Sequence, residues 1–169
     1  MPIKTLEEKM IHELGDIYDA EHQFLEAQQQ MIGKANSNTV KMLLQEHIQQ
    51  TEQQIQNLEQ VYQAMGQQPK RVKCQGAAGI VSEGQKLLQE VSGNPQLIDL
   101  AIAGAQSKVE HYEVASYRGL IEGARQMGQN EVVQLLQQNL QQEEQTAQRV
   151  EQSTPQLIQQ AMSSQQRGA

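Results

Sequence analysis

A chain of 169 residues with 37% hydrophobic content, one Phe and no Trp has the length of a single domain whose core must come from Leu, Ile, Val, Met and Ala, a palette that suits helices rather than sheets. A formal charge of −7 and a pI near 5.1, with no cluster of Lys and Arg, argue against nucleic acid or an anionic membrane as a partner, since both are held through neutralised phosphates. No stretch approaches a membrane span, the start MPIKTLEEKM has acidic residues where a signal peptide needs an apolar run, and a soluble cytoplasmic protein is expected.

The predicted elements are long helices joined by short loops. The first starts at Thr5, with Glu8 three residues on to complete a capping box, and runs to about Met31, where Gly33 and ANSN end it. The second starts near Ser37 or Asn38 and continues to Met65, where Gly66 supplies a left-handed terminus and Pro69 prevents resumption. The segment KRVKCQGAAG is a break in composition, and GIVSEGQKLLQEV after it reads as a short amphipathic crossover helix. Its Cys74 is the only cysteine, which excludes an intramolecular disulfide, and reads as a passive small residue with no role. Asn94-Pro95 opens a third long helix that reaches about Met127 before Gly128. Asn130 caps the fourth, and Thr154-Pro155 ends or restarts it, leaving a short C-terminal helix and a polar tail, SSQQRGA, expected to be mobile.

These helices form a repeat. Residues 43–60, LLQEHIQQTEQQIQNLEQ, align without a gap on residues 135–152, LLQQNLQQEEQTAQRVEQ, at an offset of 92, and Glu21-His22 matches Glu110-His111 at an offset of 89. The chain therefore reads as a duplicated helical hairpin, an all-α antiparallel four-helix bundle with a crossover between its halves.

The apolar stripe of every long helix is interrupted near its middle. Met10, Leu14, Ile17 and Leu25 of the first frame Glu21; Val40 and Leu44 of the second give way to His47 and Thr51 before Ile55, Leu58 and Tyr62. The third runs Leu100, Ala103, Ser107, Glu110, Val114, Tyr117 and Ile121, with Glu113 on nearly the same face as Glu110; the fourth runs Val132, Leu136, Leu140, Glu143, Ala147 and Val150. Buried unpaired carboxylates each cost several kcal/mol, and only His47 and His111 stand near as bases. The alternative is that these glutamates tilt outward into solvent. If they are buried, metal answers the charge, and an oxygen-rich set with one or two imidazoles suits dinuclear iron or manganese better than structural zinc. Candidate ligands are Glu21, His47, Glu110, Glu113 and Glu143. Tyr18, Tyr112 and Tyr117 are either hydrogen-bond donors or oxidation targets near a metal or packing residues with one wet end, the favoured reading, and the methionines at 10, 31, 42, 65, 127 and 162 read as core filler or helix-end contacts. His22 and His111 point about 100° away from their glutamates.

The segments YDAEHQ, HIQQTEQQ, the KC before a short helix, AQSKVEHYEVASY and LLQQNLQQEE together resemble the YciF/YciE stress-response family, the DUF892 group of ferritin-like proteins. The resemblance covers roughly residues 4–152, and VEHYE is its most specific part. It implies a fold similar to rubrerythrin and ferritin and a dinuclear metal site. The ferritin-like site takes one Glu from each of two helices and Glu-x-x-His from each of the others; Glu21 and Glu110 match the single glutamates, while Thr51, Gln54, Glu143 and Thr146 occupy the two Glu-x-x-His motifs, of which only Glu143 keeps its type. The resemblance, together with the Gln-rich outer faces, suggests a homodimer in a stress response, with metal ions as ligands. Two other functions compete: a structural or interaction bundle whose polar core residues fix register over a degenerate site, and peroxide reduction of rubrerythrin type, for which the chain has no Cys-x-x-Cys module and would need an outside electron donor.

Overall fold

Thr5 opens the fold as expected: its hydroxyl accepts from the Glu8 N–H while the Glu8 carboxylate accepts from the Thr5 N–H, which satisfies two donors that a helix start leaves free. In the computed structural model, which describes residues 2–167, this capping box begins α1 (Leu6–Ile32). Ser37 caps α2 (Asn38–Ala64), and the chain leaves α2 through Gly66 at φ +66°, a left-handed turn that a Cβ would strain. Asn94 caps α4 (Pro95–Gln126), accepting from the Gln96 and Leu97 N–H groups, and Gly128 at φ +69° ends it. The last helix, α5, spans Asn130–Arg167. No strand occurs among the described residues.

Four of the five helices make an antiparallel square, a ferritin-like bundle. Thr51 and Gln28 pair α2 with α1, Asn57–Asn139 and Gln50–Thr146 pair α2 with α5, and Arg118–Glu144 pairs α4 with α5. The circle closes between α4 and α1, where Gly123 lies against Met10 and the Asp99 carboxylate accepts from the Asn36 and Ser37 N–H groups beyond α1. With every neighbour antiparallel, α2 and α4 run the same way, so the chain must travel from one end of the bundle to the other between them, and α3 (Gln75–Glu90) covers part of that distance across α1 and α4.

Three boundaries differ from the sequence reading. Helix α3 begins at Gln75 rather than Gly79, because Cys74 caps it: the Cys74 Sγ accepts from the Ala77 N–H at 3.4 Å. The passive role expected for Cys74 is thereby corrected. The Asn130 expected as a cap is already inside α5. Pro155 neither ends nor restarts α5: it forfeits one N–H bond to the carbonyl of Glu151, yet Leu157 and Ala161 beyond it are buried, and their packing carries the helix through. There is no separate C-terminal helix, and the expected mobile tail is helical to Arg167, with Gly168 and Ala169 outside the described residues.

Two apolar clusters fill the bundle. One gathers Met10, Leu14, Ile17, Leu58, Tyr62, Leu120 and Leu136; the other gathers Met31, Val40, Leu44, Leu88, Ile102, Val150 and Leu157. Polar residues of all four long helices lie between them, so the core is two apolar ends and a polar belt. Met10 and Met31 fill core, whereas Met42 and Met162 are exposed and do not.

Candidate metal centre

The belt places each interrupting residue inward. Glu21 of α1, His47 of α2, Glu110 and Glu113 of α4 and Glu143 of α5 are all 0% exposed, so the outward tilt does not occur. The residues one or two turns away on each stripe are core, and turning the belt residues out would drag Leu14, Leu44, Val114 and Leu136 into water at about 1.5–3 kcal/mol each. On α5 the stripe runs Val132, Leu136, Asn139, Glu143, Thr146 and Val150; Leu140 is only half-buried, which corrects its expected place. On α1, Phe24 is core and Leu25 is half-buried.

His47 sits at the centre. Its Nε2 lies 3.9 Å from Glu113 and 3.8 Å from Glu143, and its Nδ1 lies 3.7 Å from Glu110. One donor atom each from His47, Glu113 and Glu143 falls within 4.8 Å of the others. Glu21 approaches from α1, its carboxylate accepting from the Tyr117 hydroxyl. Gln54 donates to Glu143 at 2.5 Å, and Asn139 donates to the Tyr117 hydroxyl and the Gln54 carbonyl. The positions where histidines would complete the ferritin-like set thus hold Gln54, which orients a carboxylate, and Thr146, which donates to Gln50 at 2.6 Å. Thr51 donates to Gln28. His111 lies away from the belt, exposed and 3.4 Å from Glu151, and His22 stacks edge-on against Tyr18.

The electrostatics are lopsided. Among the described residues no Lys or Arg pairs with any of the four carboxylates; only His47 faces them. Burial, then the charge of Glu143, pushes Glu21 up to about 8 despite the Tyr117 hydrogen bond. Burial, again followed by Glu143, pushes Glu110 up to about 9, and Glu113 is raised well above the usual carboxylate range by burial and by its Glu143 and Glu21 neighbours. Burial depresses the His47 imidazole and raises the Tyr117 hydroxyl. Without an added cation Glu21, Glu110 and Glu113 are therefore protonated at neutral pH, and His47 is neutral.

Hydrogen bonding leaves several belt atoms unmatched. Both oxygens of Glu110 and Glu113, one oxygen each of Glu21 and Glu143, and both His47 nitrogens are buried with no hydrogen-bond partner. Buried polar atoms are paired in the great majority of cases, so this many orphans around one point set the belt apart from ordinary core. Two ligand atoms each about 2.1 Å from one divalent ion lie within about 4.2 Å of each other, and the His47 separations from Glu113 and Glu143 meet that limit. A buried His/Glu group here could hold a metal ion.

Sequence reasoning missed Tyr117, assigned to packing, and Asn139, hidden by a stripe drawn through Leu140. For Tyr117 the signal was available: it lies four residues after Glu113 and seven after Glu110, on the same helical face.

Comparison with known proteins gives one family. The model described as "Domain of unknown function (DUF892)" matches residues 5–163. Protein YciF of Escherichia coli (strain K12) is 32% identical over 147 residues, covering 86% of this chain and 88% of that protein. Among solved structures, YcfI from Rhodopseudomonas palustris superposes with a TM-score of 0.86 at 34% identity, covering 88% of this chain and 94% of that one. The E. coli stress protein YciF does so at 0.87 and 29% identity, covering 93% and 99%. A protein from Xanthomonas campestris pv. campestris, at 20% identity and a TM-score of 0.75 over 95% and 98%, shares the fold.

Proposed function

The chain belongs to the DUF892 family, and from that premise we propose that it is a YciF-like stress-response protein that binds a dinuclear iron or manganese centre in its carboxylate belt. The observation that supports this most is the set of four fully buried glutamates around one histidine, with eight of their donor atoms unpartnered and no Lys or Arg among the described residues to balance them. Two divalent ions would neutralise four ionised carboxylates, which no Lys or Arg among the described residues reaches. Oxygen-rich ligation with one imidazole suits iron or manganese.

In this reading Glu113, beside both Glu21 and Glu143, would hold metal together with them, and His47 presents Nε2 to the same side. Tyr117 and Gln54 fix the orientation of Glu21 and Glu143 by donating to one oxygen of each and leaving the other free. Glu110 faces the opposite edge of the imidazole. When bound, the metal would supply Lewis acidity and redox capacity. We also propose that the chain works as a homodimer in the cytoplasm, which sedimentation and cell fractionation would check.

The hydrogen-bonded part of the belt favours a second reading, in which polar core residues set helix register. Asn57, Asn139 and Tyr117 form one network and Thr51 with Gln28 another, each fully buried or nearly so. Elemental analysis of tag-free protein purified without chelator separates the two. Stoichiometric iron or manganese, lost in a Glu21→Ala/Glu143→Ala double variant, establishes the metal reading. Metal-free protein that refuses anaerobic reconstitution with Fe(II) and Mn(II) rejects it and leaves the structural role.

A further inference from the structure

We propose that a small cavity beneath α3 is an internal binding site for one neutral O–H molecule, water or hydrogen peroxide, and the route by which such molecules reach His47. The cavity lies where α1, α2, α3 and α4 meet, and about 10 Å³ of it is open to the centre of a water-sized sphere, close to the space one water needs. Most of its wall is apolar, but His47, Gln28 and Gln106 also line it, and each is no more than 3% exposed. Both amide heteroatoms of Gln106, the Gln28 Nε2 and both His47 nitrogens have no partner in the protein.

An orphaned buried amide costs about 1–3 kcal/mol, and here three polar side chains with orphaned atoms surround a hole of one small molecule's size. The Gln106 amide offers a donor and an acceptor, which matches a ligand that both donates and accepts. The lining holds no Lys, Arg, Asp or Glu, so it offers no charge to hold an anion or a cation. The outer wall is α3, through the half-buried Ile80 and Val81. Gly84 lets α3 lie close: a Cβ there would already touch Ala105 at 3.4 Å and Met31 at 3.9 Å. The buried thioether of Met31 also lines the cavity, so a peroxide that enters meets a reporter.

The inference concerns the cavity and not the ions, and it is tested on metal-free, chelator-treated protein. Hydrogen peroxide transfers one oxygen atom to the Met31 sulfur in a two-electron oxidation, giving the sulfoxide and releasing water. Met10 is equally buried, at 3% against 6%, and lies outside the cavity. Peptide mapping by mass spectrometry should show Met31 oxidised about tenfold faster than Met10, because oxidation of Met10 needs local opening. Ala105→Val, which narrows the cavity, should bring Met31 to the Met10 rate and leave the exposed Met42 unchanged. Equal rates for Met31 and Met10 in the wild type, or a fast Met31 that ignores Ala105→Val in a folded variant, would overturn the proposal. A second arm reads water directly. Oxygen-17 relaxation dispersion should detect a long-lived internal water that Gln106→Leu removes, and an identical profile in the two proteins contradicts the site. Neither arm depends on metal content, so failure here and failure of the metal reading are distinguishable.

Discussion

Loading the belt with a divalent metal should expel protons, and their number follows from the site. At pH 7 a group held at about 8 carries about 0.9 proton and one held at about 9 carries nearly a whole one, which describes Glu21 and Glu110. Glu113, raised well above the usual carboxylate range by burial and its neighbours, carries another. His47, depressed by burial, is neutral and has none to give. Carboxylates must be ionised to bind metal, so filling the site with Mn(II) should release about three protons, or about two if Glu110 stays outside the coordination sphere and keeps its own. Anaerobic titration calorimetry at pH 7, repeated in buffers of different ionisation enthalpy, gives this number as the slope of apparent enthalpy on buffer enthalpy. Overall affinity for the filled site should rise by the same power of ten per pH unit below about pH 8. Binding accompanied by less than one proton would refute the reasoning, since the carboxylates would then already be ionised in the empty belt.

Four further outcomes are expected. The metal-free protein should lose stability as the pH rises: Glu21 and Glu110 titrate near 4.5 when unfolded but near 8 and 9 when folded, so their contribution is complete below about pH 4.5 and is lost through pH 8–9; a Tm that stays flat or climbs between pH 5 and 9 rejects this. Glu113→Leu should stabilise the metal-free bundle by about 1–3 kcal/mol in urea, because an apolar group of similar volume replaces a fully buried carboxyl, while metal content falls; a destabilised variant contradicts it. Asp19→Ala should cost about 2–3 kcal/mol by chemical denaturation, since the Asp19 carboxylate accepts from the buried Cys74 N–H at 2.8 Å as well as from Arg71 and Gln23; a loss under 0.5 kcal/mol would be inconsistent. Gly15→Ala should cost about 1–3 kcal/mol in the same assay, because its Cβ would stand 2.6 Å from Val72 Cγ2 and 2.9 Å from the Lys70 carbonyl; wild-type stability would show that the 70–72 loop yields freely.

The bundle was legible because its signals are local. A Thr–Glu capping box, an Asn-Pro start and two left-handed glycines act within four residues of themselves, and they placed the limits of α1, α2 and α4 within a residue or two. Glu21, His47 and Glu143 were visible as charges or imidazole on otherwise apolar stripes. The phase of α5 was harder: its Gln-rich surface gives little contrast, so Leu140 took a place that belongs to Asn139, whose burial depends on partners from α2 and α4. Cys74 was unreadable as a cap because a thiol is a weak acceptor, and what makes it one is the Asp19 carboxylate holding its own N–H. Pro155 misled for the opposite reason, since a local breaker was outweighed by distant packing at Leu157 and Ala161.

A core divided by a belt has consequences for how the molecule comes apart. Each apolar cluster gathers side chains from all four long helices, so each end of the square is a cooperative unit, joined to the other through a belt whose Glu110 carboxyl and His47 ring have no hydrogen-bond partner. Amide exchange should then report two protected islands with separate opening free energies, flanking a zone around Glu113 and Glu143 that exchanges faster than its depth suggests. Ions seated in the belt would rivet one island to the other, and the two openings would merge into a single transition.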